Sequence, residues 1–104
     1  MAWVYLLLAG LLEIVWAFAL KQSDGFTQML PSLITGIAML ASVWLLALAM
    51  RSLPLGTAYL IWTGIGAVGA FVAGVTLLGE ALSLRRAIAA SLILSGIIAM
   101  KLAS

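Results

Sequence analysis

The chain has 104 residues, 66% of them hydrophobic and 8% charged, with a formal net charge of +2. A soluble domain carries charge on about a quarter of its residues, so this composition excludes one and reads as an integral membrane protein. Five Lys and Arg make no basic patch, which excludes nucleic acid as a partner. Cys and His are both absent, which removes disulfides, thiol chemistry and nearly all transition-metal sites, so no metal and no cofactor is expected.

The first predicted helix covers residues 2–20, in an apolar run long enough to cross a bilayer, where about 20 residues are needed. Glu13 stands in its middle. An ionisable group inside such a span is costly, and its default reading is functional. Positions three and four away on a helix share a face; for Glu13 these are Ala9, Gly10, Trp16 and Ala17. Small side chains leave room beside the carboxylate, and an indole face holds a cation by cation–π attraction, so the pattern suits a cation site. The bland alternative is a neutral Glu13 hydrogen-bonded to a neighbouring helix, with Gly10 and Ala17 serving close packing. Ala17-Phe18-Ala19 has the form of a signal-peptidase site, but the run has no Lys or Arg before it and would carry Glu13 in its apolar core, so a permanent helix is expected.

Lys21-Gln22-Ser23-Asp24-Gly25 forms a stop and turn. Pro31, tolerated in a first turn, opens the second predicted helix, 31–50. Ser32, Thr35, Ala38 and Ser42 lie along one stripe of it, which brings Ser42 near mid-membrane; there it bonds either Glu13 across helices or its own helix backbone. The connector around Leu53-Pro54 is too short to hold a domain, so helices two and three are antiparallel neighbours.

The third predicted helix, 56–78, has Gly64, Gly66 and Gly69 close together near mid-membrane. A bend or hinge at Gly64 and Gly66 is expected, and close helix packing accounts for the same glycines. Tyr59 and Trp62 share a face three residues apart; the interfacial aromatic belt is their alternative role. The fourth predicted helix, 85–102, has no charge at membrane depth. Its Ala87, Ser91 and Ser95, with Gly96 adjacent, follow the small-xxx-small pattern of packed helix pairs. It reads as a dimerisation helix.

The expected fold is therefore all-α: one membrane domain of four transmembrane helices. One such bundle is too thin to enclose a path with two access states, so a homo-oligomer is expected. Lys and Arg number two on the face with both termini (Arg51, Lys101) and three on the other (Lys21, Arg85, Arg86). Orientation is normally set by such a bias. Its absence predicts insertion both ways up and an antiparallel, dual-topology homodimer, which reproduces with two chains the inverted repeat of larger transporters.

Taken in order, Glu13, Lys21 with Gly25-Phe26-Thr27, Pro31-Ser32, Leu53-Pro54, Gly56-Thr57-Ala58-Tyr59 and Gly64-Ile65-Gly66 resemble the small multidrug resistance family over essentially the whole chain. Trp16-Ala17 and Trp62-Thr63-Gly64-Ile65-Gly66 resemble its guanidinium exporter subtype. The resemblance implies an antiparallel dimer in a bacterial inner membrane that exchanges outward-moving guanidinium for protons and is no enzyme. It implies that Glu13 of each chain is the shared substrate and proton site, lined by Gly10, Trp16, Ser42, Tyr59 and Trp62. It further implies that Gly64 and Gly66 belong to a hinge and the fourth helix to the dimer seam, although Ser91 and Ser95 depart from the family's glycine-led motif there.

The chemistry agrees independently. Guanidinium is planar and permanently charged, its paired donors match a carboxylate bidentately, and its flat face suits an indole. Alternatives are a broader exporter of quaternary ammonium or alkylguanidinium cations and, from another class, a proton-conducting rotor subunit. The latter has no use for aromatics around its acid.

Overall fold

Backbone N–H and C=O groups have no water to bond in hydrocarbon, so apolar runs of this length satisfy them internally as helices. The computed structural model describes residues 1–104 and contains four: α1 (Ala2–Gln22), α2 (Met29–Ala49), α3 (Leu55–Leu77) and α4 (Leu84–Leu102). α1, α2 and α3 are each long and apolar enough to cross a membrane. α4 falls short of that by composition, because Arg85, Arg86 and Lys101 lie within its bounds.

The connectors are tight. Ser23 is completely buried after α1; its Oγ donates to the Leu20 carbonyl at 2.6 Å and accepts the Phe26 N–H at 3.1 Å. Its carbonyl takes the N–H groups of Thr27 and Gln28. These bonds hold Asp24, Gly25 and Phe26 at φ of 49°, 71° and 65°, three left-handed residues in succession. α2 begins at Met29, earlier than the Pro31 start read from the sequence; Pro31 sits in the first turn, where its missing N–H has no helical partner to lose. Gly79 at φ 67° closes α3, and the Ser83 hydroxyl caps α4 by accepting the Arg86 N–H at 3.2 Å.

The helices lie in the order α2, α1, α3, α4. α1 packs on α2 and α3, α4 packs on α3 alone, and α2 and α3 barely meet. The result is a slab of 39 × 34 × 16 Å, little more than one helix thick. α2 turns Thr35, Ala38, Ser42, Leu46 and Ala49 inward, the small stripe that lets it approach α1. Large apolar side chains such as Leu40 (74% exposed) and Leu92 (69%) point outward, as suits a lipid surround rather than water.

The glycines of α3 show why that helix can sit between two others. A residue two places on is turned by about 200°, so Gly64 and Gly66 look in opposite directions. A methyl group at Gly64 would meet the Ile97 side chain of α4, whereas one at Gly66 or Gly69 would overlap Glu13 or Ile14 of α1. α3 runs unbroken through all three.

Candidate functional site

Glu13 sits one turn beyond Gly10, which is itself buried because the side chain of Ile65 lies directly against it. The absence of a side chain at Gly66 makes the space that the Glu13 carboxyl occupies: a Cβ there would overlap Oε1, Cδ and Cγ of Glu13. Glu13 Oε1 is buried and has no hydrogen-bond partner, and Trp16 Nε1, one helical turn further, is buried and unpartnered as well. Leaving a buried polar atom unpaired costs about 1–3 kcal/mol, more for a charged one. The same turn of α1 thus holds an acceptor and a donor with no protein partner.

Beside it runs a hydrogen-bonded chain across three helices. Trp62 Nε1 of α3 donates to Ser42 Oγ of α2 at 3.0 Å, and Ser42 Oγ donates to the Ala9 carbonyl of α1 at 2.6 Å. Ser42 is fully buried. It bonds neither Glu13 nor its own helix, the two outcomes read from the sequence; its acceptor is the carbonyl one turn before Glu13. Tyr59 stacks at a tilt on Trp62, with ring centroids 5.6 Å apart, and is 51% exposed. Three of the residues named from the sequence, Ser42, Tyr59 and Trp62, therefore form one connected group. That group is tied through Ala9 to the helix that carries Gly10, Glu13 and Trp16.

Other named residues lie elsewhere. Gly64 faces α4. Ser91, Ser95 and Gly96 are exposed on α4; both serines donate to carbonyls of their own helix, at 2.8 Å each, and Gly96 has open space around it. Two features were missed in the sequence. The Ala9 carbonyl carries no residue-type signal, since every residue has one. Gly66 as the seat of Glu13 had a signal, the three-residue spacing of Gly66 and Gly69, which places both on one face.

Relatives share this length and more than half of this sequence. A chain from Yersinia pseudotuberculosis named guanidinium exporter is 61% identical over 104 residues, covering 100% of both chains. One of the same name from Citrobacter freundii is 55% identical over 104 residues, covering 100% of this chain and 99% of its own. Residues 1–93 match the family described as Small Multidrug Resistance protein. With that match over nearly the whole chain and relatives this similar, the chain is a multi-pass membrane protein belonging to the Small Multidrug Resistance family.

Proposed function

We propose that this protein exports guanidinium in exchange for protons, by alternating access of an antiparallel homodimer in a bacterial inner membrane, and that it is no enzyme. The observation that carries the reading is the buried, unpartnered Glu13 oxygen seated on Gly66, with the equally unpartnered Trp16 indole one turn away. A carboxyl group at that depth holds either a proton or a cation. Guanidinium meets it with two parallel N–H donors and offers its flat face to the rings of Trp16 and Trp62.

Because both ligands use the same Glu13 pair, loading one displaces the other, and exchange follows when only an occupied site changes sides. Ser42 fixes the Trp62 ring, and Gly10 admits the Ile65 side chain of α3 one turn before the carboxyl group. Gly64 and Gly66 give α3 the freedom to bend as the site reorients. The relatives named guanidinium exporter support the substrate.

The dimer is supported by the thinness of the slab, 16 Å, and by the exposed small residues Ser91, Ser95 and Gly96 of α4. In this reading α4 crosses the membrane too: its uncharged stretch, 87–100, is about 21 Å long, and Arg85, Arg86 and Lys101 reach the interfaces with their flexible stems. Purified protein in liposomes tests the whole. An outward proton gradient should drive guanidinium exchange in wild type and fail to do so in Glu13→Gln. Tetraethylammonium exchanged at the guanidinium rate would instead establish the broader cation exporter.

A further inference from the structure

α1 and α4 do not pack closely along their lengths, and both rest on α3, so a groove runs between them with α3 as its floor. At the end of the molecule where α1 begins and α4 finishes, this groove encloses about 400 Å³. Leu7 of α1, Ile61 and Ile65 of α3 and Ile98 of α4 are among its walls, and nine of its ten lining residues are apolar. The tenth is Lys101. Its Nζ stands 4.9 Å from the centre of the Trp3 ring, reaching from α4 toward α1 across the mouth of the groove. Both residues are at helix ends, the depth at which Trp and Lys meet lipid headgroups.

Lys101 makes no ion pair. The acidic side chains are Glu13 in mid-helix, Asp24 in the α1–α2 connector and Glu80 in the α3–α4 connector, so none lies at the Lys101 end. The chain's one ion pair, Arg86 with Glu80 at 3.7 Å, is at the opposite end. A second pocket there is lined by Lys21 and Arg86, but Glu80 shares it and already meets the arginine. The ring of Trp3 holds the Lys101 ammonium in place without cancelling its charge.

We propose that this groove is a binding site for an anionic phospholipid, with the phosphate at Lys101 beside Trp3 and one acyl chain along Leu7, Ile61, Ile65 and Ile98. Apolar walls accept any chain; the unpaired ammonium at an interfacial mouth selects the headgroup. The inference goes beyond the transport reading and uses none of the residues assigned to the cation site.

The test is retention of lipid by the full-length protein in nanodiscs of equal phosphatidylglycerol and phosphatidylcholine, read by native mass spectrometry. Phosphatidylglycerol should be retained in preference, and the preference should fall about fivefold in Lys101→Gln. It should persist in Lys101→Arg, which keeps the charge, and in Lys21→Gln, which removes a cation at the other end. Equal retention of the two lipids by wild type, or an undiminished preference in Lys101→Gln, would overturn the proposal. So would an intermolecular disulfide formed by Ile98→Cys in either lipid, which would give the groove to a second copy of the chain. Guanidinium binding, measured on the same samples, should not change in Lys101→Gln, so failure here leaves the transport reading standing.

Discussion

At the scale of single residues, the proposed exchange rests on one carboxyl group, that of Glu13, whose Oε1 is buried and unpartnered. Glu13→Gln keeps the volume on Gly66 and removes the charge, so proton-coupled guanidinium exchange should be lost while dimer content is unchanged. Wild-type exchange by the Gln variant in liposomes would sink the mechanism. In the proposed exchange proton and guanidinium compete for the same oxygens, so the sign of the pH effect is fixed: guanidinium binding should weaken as pH falls. An affinity that stays constant from mildly alkaline to mildly acid solution, measured by titration calorimetry, would count against a shared site. Trp62 is held by Ser42, and if its ring faces the proposed cation site the contact is worth about 0.5 to 2 kcal/mol. Trp62→Leu should accordingly weaken guanidinium binding by a few-fold to tens-fold. Trp3→Leu, at the far end of α1, should change it little; equal losses in the two variants would return Trp62 to the interfacial belt.

At the scale of elements, α3 is the helix that joins α1 to α4, and its glycines have separate tasks. Gly66 gives room to Glu13, Gly69 to Ile14 and Gly64 to Ile97, while Gly56 has nothing near it. Ala at Gly66 drives the carboxyl group out of its seat, whereas Ala at Gly64 meets Cγ1 and Cδ1 of Ile97 on α4 and leaves the carboxyl group alone. Gly66→Ala should therefore abolish guanidinium binding with the helices intact by circular dichroism, Gly64→Ala should reduce it less, and Gly56→Ala should leave it unchanged. Similar binding in Gly66→Ala and Gly56→Ala would show that Glu13 does not need that seat. The same comparison explains how much of the site was legible. Helical spacing from Glu13 picks out Gly10 and Trp16 because neighbours on one helix follow from its period. Ser42 was placed near mid-membrane by its stripe, yet its acceptor, a backbone carbonyl, is invisible in residue types.

At the scale of the whole molecule, the proposed dimer would set a second copy against the exposed small residues of α4. Gly96 has open space around it, so Gly96→Leu should leave each chain folded and block a partner helix at the α4 seam. Chemical crosslinking in membranes should then show a loss of dimer; unchanged dimer would move the seam elsewhere. Two Lys or Arg on one face against three on the other give no orientation bias. A reporter fused after Ser104 should be found on both sides of the membrane, and two added lysines on one face should trap one orientation. A single orientation in the unmodified protein would exclude the antiparallel dimer.

Hydropathy and length by themselves led to four membrane helices, of which α1, α2 and α3 are long and apolar enough to cross, because hydrocarbon admits only backbone that satisfies its own hydrogen bonds. They also singled out Glu13, the one charge deep inside such a run, and the short connectors that make successive helices antiparallel. Tertiary structure alone decided which helix lies beside which. In lipid the outside of a helix is as apolar as the inside, so burial leaves little contrast along the sequence, and neighbours are chosen by close fit of small residues. A glycine announces that something approaches closely without naming it. Only the assembled chain shows that Gly66 receives Glu13, that Gly64 receives α4, and that Ser42 reaches the backbone of α1 rather than Glu13.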